Sequence, residues 1–299
     1  MKALAAFIMR GQTHAIAITA GFAILSLVFP LLGLLSAAAV GLVTLRLGPM
    51  NGLLVLLAAS VLVTGVAMLT ATPLIIPTIV SLLVLLVLVW IVAIALRVTR
   101  SLALSVTAVA AIGGFFVVVF HLMVGDPAAW WQANFDEFFA QATDSMMMDQ
   151  QMVFQQNLAT WSVIMTGFVT MAFLLNVIFS LFIARSWQAA LYNPGGFRDE
   201  FHGVQFSKQV AIISLVIATL ALLPDSAIAS ISKDLLMLIM MLYVLQGISI
   251  VHAIVGMKGL HWAWLVGLYL LVLLMPQFVA ITGYIDTWLD FRKRVAKQN

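Results

Sequence analysis

Apolar residues recur in long runs along this chain. They span His14 to Phe29, Leu31 to Leu45, Asn51 to Leu69, Thr78 to Leu96, Ser101 to Val124, Trp161 to Ile183, Val210 to Leu223, Leu235 to Val255 and Leu260 to Tyr284. Polar positions bunch into the short gaps between them. A helix needs about 20 apolar residues to cross ~30 Å of hydrocarbon, and several runs approach or exceed that. Ile79 to Ile94 is interrupted by little more than Ser81. Open sheets leave unpaired edges in lipid, so the runs are predicted as helices. The pattern predicts an all-α, polytopic transmembrane bundle of about 8–10 membrane segments. Residues 1–299 would form a single integral membrane domain.

Prolines divide two of the runs. Pro30 separates the first two segments, which read as a helical hairpin or as a span plus a re-entrant segment. Pro276 interrupts the last run and predicts a second break. Pro73 and Pro77 mark an uncharged turn between the third and fourth spans.

Basic residues set the orientation. Lys2, Arg10, Arg46, Arg97, Arg100, Arg185 and Lys258 lie where successive spans should return to the cytoplasmic face. The segment 125–157 carries Asp126, Asp136, Glu137, Asp144 and Asp149 with no Lys or Arg, and is expected outside. Within it Trp131, Phe135, Phe138 and Phe139 recur at helical spacing, predicting an amphipathic helix in the outer interface. The loop 185–208 and the tail 286–299 are expected in the cytoplasm. One crossing over Leu260 to Tyr284 would put the tail outside, but the cluster Arg292, Lys293, Arg294, Lys297 favours the inside. The N-terminus could imitate a signal peptide, ending near Ser36-Ala37-Ala38-Ala39. We read it as an uncleaved first helix with a cytoplasmic N-terminus. Lys233 and Asp234 are expected in a small external link.

Composition agrees with the pattern. Of 299 residues 64% are hydrophobic and 8% charged, far too few charges for a soluble domain. No cysteine is present, which removes disulfides, thiolate metal sites and thiol catalysis. The net charge of +3 is scattered over loops, so no nucleic-acid partner is expected. The bilayer is the partner that the composition demands.

Candidate chemistry is sparse. Asn176 and Gln246 are the clearest polar residues inside spans, and with His252 they could line a ligand pocket; hydrogen bonds that fix helix packing are the simpler reading. Carboxylates at depth look scarce, which argues against a proton pump. Met146, Met147, Met148 and Met152 could suit a soft metal, but no Cys or His accompanies them and interfacial packing explains them better. Tyr192-Asn193-Pro194-Gly195-Gly196 is a turn, and Arg198, Asp199, Glu200 and His202 could make a polar site beside it. No phosphate-binding loop, zinc-protease motif or nucleophile elbow occurs. The expectation is a chain that is not an enzyme, with no cofactor and no metal. Small residues four apart (Ala15, Thr19 and Ala23; Ala17 and Gly21; Ser60 and Thr64; Ala110 and Gly114) predict close helix contacts, within the chain or with a partner.

Two stretches carry a resemblance. Ala184-Arg185-Ser186-Trp187-Gln188, continuing through Asn193-Pro194 and Phe197 to Phe201, and Gly283 to Trp288 continuing through Asp290-Phe291-Arg292, resemble the YybS-like family of predicted bacterial inner-membrane proteins. That family is distantly similar to the substrate-binding S components of energy-coupling-factor transporters, and the cell-shape protein MreD is thought to share the layout. The resemblance implies a bacterial inner-membrane protein of one of two kinds. One is a solute-binding subunit that relies on separate membrane or ATPase subunits. The other is a scaffold in an envelope complex. Arg185, Trp187, Phe197, Arg198, Asp286, Trp288 and Arg292 would then be partner-docking candidates. More spans are apparent here than the usual six of S components, and no ligand residue carries over by position. A lipid-modifying or lipid-flipping role is the third and weakest alternative.

Overall fold

The computed structural model describes residues 1–69, 75–144, 148–224 and 226–296. Part of the expected 70–77 turn, Met146, Met147, Asp225 and Lys297 lie outside them. The regular elements are all helices: α1 (Lys2–Ile8), α2 (Gln12–Leu25), α3 (Leu32–Leu47), α4 (Pro49–Ala67), α5 (Ile75–Thr99), α6 (Leu102–Val124), α7 (Pro127–Asp144), α8 (Met148–Ser162), α9 (Met165–Tyr192), α10 (Gly196–His202), α11 (Lys208–Leu220), α12 (Ala227–Met257), α13 (Ala263–Leu274), α14 (Pro276–Leu289) and α15 (Phe291–Ala296). Five of them (α4, α5, α6, α9, α12) are long and apolar enough to cross a membrane, six if α13 and α14 count as one broken span. Three shorter apolar helices, α2, α3 and α11, accompany them. The chain is a helical membrane bundle.

Several boundaries shift from expectation. The sixth span begins at Met165, after α8 has ended at Ser162, and α9 then continues to Tyr192. Arg185 and Trp187 are therefore helical, and the polar loop starts only at Asn193. Lys233 and Asp234, expected in a link, lie inside α12. The signal is Ser226, whose side chain accepts the Ala229 N–H and caps the helix about eight residues early. At Pro276 the chain does break, with α13 and α14 bent by 111°.

The contacts gather into two compact units. The first comprises Met1–Val109 and Phe173–Val204. Its centre is α3, buried on nearly every side from Ser36 to Leu45. Apolar attraction between helices is weak in lipid, so packing depends on small residues that let backbones approach. Ala37, Ala38 and Ala39 are fully buried, and a Cβ at Gly41 would lie 2.9 Å from the Ala184 Cβ. The Pro30 break is a helical hairpin: α2 returns on α3, with Ser36 Oγ donating to the Thr19 carbonyl at 2.8 Å. Ala15, Thr19 and Ala23 are buried by this packing, inside the chain.

The second unit comprises Ala110–Ala172 and Gln205–Asn299. Here α7 carries the expected aromatic ladder, Trp131 on Phe135 and Phe135 on Phe139, and α8 folds back on it with Phe154 against Phe139. The tightest seam joins α12 and α14. A Cβ on Gly247 would strike the Val279 carbonyl, and one on Gly283 would strike the Tyr243 carbonyl. Gly283→Ala should therefore destabilise the protein by about 2 kcal/mol through overpacking. Gly267→Ala on α13, where a Cβ meets nothing within 4 Å, should not. Unfolding equilibria in mixed micelles would measure both.

Candidate functional site

Three polar centres stand out against the apolar background. The first is built on Asp286, in α14. Its side chain is fully buried. Arg292 Nη2 donates to Oδ2 at 2.8 Å, Gln246 Nε2 donates to the same oxygen at 3.2 Å, and the Phe291 N–H donates to Oδ1 at 2.8 Å. Gln246, itself 0% exposed, also accepts the Phe206 N–H at 2.9 Å and donates to Thr287 Oγ1 at 3.3 Å. One carboxylate and one amide thereby fasten α12, α14, α15 and the segment ahead of α11. Beyond them, Asp290 takes a left-handed conformation at φ 46°. The Lys293 ammonium, hydrogen-bonded to it, holds the Asp290 carboxyl below the usual carboxylate range.

The second centre lies in the other half of the same unit. His121 Nε2 and Asp234 Oδ2 are 2.7 Å apart, with side chains 4% and 2% exposed. Asp234 Oδ1 accepts the Gly167 N–H, in the first turn of α9, at 2.9 Å. A helix start carries unpaired amides and partial positive charge, which suits a carboxylate. Gly167 is required there, since a Cβ would come within 2.8 Å of the Asp234 Cα. Next to this turn Trp131 Nε1 donates to Thr166 Oγ1 at 2.9 Å. An ionisable pair buried in span-length helices corrects the expectation that such groups are nearly absent.

The third centre is in the first unit. A cavity of about 360 Å³ is lined by Leu45, Leu96, Arg97, Arg100, Arg185, Gln188 and Glu200. Arg185 pairs with Glu200 through Nε at 2.8 Å and through Nη2, and donates from Nη1 to Gln188 Oε1 at 2.9 Å. Arg97 Nη1 donates to the Leu45 carbonyl at 2.7 Å, near the C-terminus of α3. Cations belong at that end of a helix, where carbonyls lack partners.

The residues singled out from the sequence separate into these settings. Asn176 lies half-buried in the first unit, while Gln246 and His252 are in the second. Gln246 belongs to the Asp286 centre, and His252 Nε2 meets Tyr269 Oη at 3.0 Å. Trp187 is 2% exposed and Asp286 0%, so neither offers a surface for docking. Phe197 packs on Phe182 and Phe201. Arg198 is exposed and Trp288 is 47% exposed. Arg292 is drawn inward by Asp286. Sequence reasoning missed the His121–Asp234 pair and the meeting of Arg97 and Arg100 with Arg185 and Glu200, because each joins residues roughly 85 to 115 positions apart.

Asp286→Ala would leave Arg292 and Gln246 buried without their acceptor. Removing one partner of such a pair costs about 3–5 kcal/mol. The variant should unfold at markedly lower denaturant, and limited proteolysis should cut first near Arg292 to Arg294. Asp286→Asn, which retains an acceptor, should lose less.

No curated protein matches the chain, and no solved structure does. A family model described as predicted membrane protein (DUF2232) matches residues 17–287, from α2 into α14. Its range takes in all three polar centres except Arg292 and Phe291 of the first. On that coverage, the chain belongs to the DUF2232 family of predicted membrane proteins.

Proposed function

We propose that this chain is the solute-binding membrane subunit of a bacterial inner-membrane transporter, with its N-terminus in the cytoplasm and residues 125–157 outside. The observation that carries this reading is the buried His121–Asp234 pair. Burying an ionic pair is costly, and ionisable groups within spans commonly mark solute, ion or proton pathways. The YybS-like resemblance supports the same reading through its similarity to energy-coupling-factor S components. The chain has no nucleotide-binding loop of the G-x-x-x-x-G-K type, so energy would come from a separate ATPase subunit. The reading assigns no catalysis and no cofactor to this chain. Exposed Arg198 and Trp288 favour a second reading, a scaffold in an envelope complex, because they offer a cationic and an aromatic contact to a partner.

The test does not require knowing the solute. In a strain that encodes the protein, deletion should deplete one or a few cellular metabolites. Wild type should restore them, as should Lys233→Ala, which alters an exposed neighbour on the same helix. Asp234→Asn, present in the membrane at equal abundance, should restore less than about a tenth. An unchanged metabolite profile on deletion, with crosslinkers at Arg198 and Trp288 capturing envelope proteins, would replace this reading with the scaffold.

A further inference from the structure

The arginine cavity of the first unit is not used by the reading above, and its side chains are unevenly committed. Arg185 spends Nε and both Nη groups on Glu200 and Gln188. Arg97 spends Nη1 on the carbonyls of Leu45 and Thr44, leaving its other donors. Arg100 has no side-chain hydrogen bond or ion pair among the described residues. Three guanidinium groups against the one carboxylate of Glu200 leave 3 − 1 = 2 positive charges around the cavity.

Arg100 is also costly to the backbone. It follows α5 with φ 52°, and its N–H closes the helix on the Leu96 carbonyl at 2.8 Å. This is the left-handed position after a helix that glycine ordinarily fills, since a Cβ is disfavoured there. The turn is otherwise well made: Thr99 Oγ1 accepts the Ser101 N–H, and Ser101 Oγ accepts the Leu104 N–H. Glycine, the easier residue, would serve the turn. Arginine there brings a cation to the cavity at the expense of local strain, and strain of this kind gathers at functional sites.

We infer that Arg97 and Arg100, backed by Arg185 and Gln188, form a binding site for a phosphomonoester. Guanidinium donors match phosphate oxygens in pairs. A phosphomonoester carries about −1.5 to −2 charges near neutrality, which balances the cavity, whereas a phosphodiester or a monocarboxylate does not. The volume of about 360 Å³ falls in the range of small-ligand pockets, with room for the phosphate and part of what it is attached to. Glu200 holds Arg185 in position and excludes a more highly charged anion. The phosphate could belong to a soluble ester or to a lipid headgroup; the recognition chemistry is the same.

The test uses the full chain purified in a maltoside detergent, which brings no phosphate. Thermal unfolding is followed with inorganic phosphate, with acetate and with succinate, and native mass spectrometry is run with phosphatidic acid and with phosphatidylcholine. The decisive variant is Arg100→Gly, which removes the cation and relieves the left-handed residue. It should unfold at the same or a higher temperature than wild type without ligand, and bind the phosphate probe at least about tenfold more weakly. Lys258→Ala, which removes an exposed cation elsewhere, should bind as wild type does. Saturable stabilisation by inorganic phosphate that Arg100→Gly loses supports the site with a soluble ester. Phosphatidic acid bound in preference to phosphatidylcholine, without an effect of inorganic phosphate and again lost in Arg100→Gly, supports it with a lipid. Binding of neither probe, equal binding by Arg100→Gly, or a preference for acetate or succinate over phosphate overturns the inference.

Discussion

A carboxylate that no solvent reaches must have its lone pairs filled by the protein, and Asp286 shows how much structure that requirement organises. In lipid an unmatched acceptor has no water to fall back on. Donors from Arg292, Gln246 and the Phe291 amide meet it, and Gln246 in turn collects the Phe206 amide. For Gln246 on α12 to reach Asp286 on α14, the two backbones must nearly touch. Gly247 lies beside Gln246, and Gly283 sits one turn before Asp286; both glycines admit backbone carbonyls where a Cβ would collide. The polar knot and the glycine seam are thus one device: close approach permits the hydrogen bonds, and the hydrogen bonds hold the approach.

The first unit meets the same constraint at a helix end. α3 has 16 residues, about 24 Å at 1.5 Å per residue, and is buried from Ser36 to Leu45. The carbonyls of Thr44 and Leu45, in its last turn, end the buried stretch and take donors from other helices. Arg97 and Gln188 come to the Leu45 carbonyl from α5 and α9. The basic residues that orient a membrane protein by sequence rule also finish a buried helix, and this brings the guanidinium groups together around a cavity.

What could be read from the sequence follows from what is local. Helix class, the break at Pro276, the Pro30 hairpin and the aromatic face of α7 each rest on residues within a few turns of one another, and all are present in the structure. Local patterns mislead when a polar residue sits inside a helix. Lys233-Asp234 looks like a link because charge interrupts an apolar run. It is helical because His121 and the Gly167 amide remove the cost of the carboxylate. Trp187 looks like a docking residue beside a polar loop but is buried. Gln246 was identifiable as a polar residue at depth, but its partners at positions 206, 286 and 287 are invisible to any local window.

Satisfaction of polar groups also ranks the three centres by what each is free to do. Asp286 is saturated, so its chemistry is spent on the fold. Asp234 has both oxygens engaged as well, one by the His121 imidazole and the other by the Gly167 amide. Arg100 stands at the far end of the scale, unengaged among the described residues and kept where glycine would be easier. An exposed cation after the last turn of α5 suits the helix dipole, but Arg97 already supplies one in that turn, so the dipole alone does not require arginine at the left-handed position. The net positive charge around the cavity is what favours an anion there.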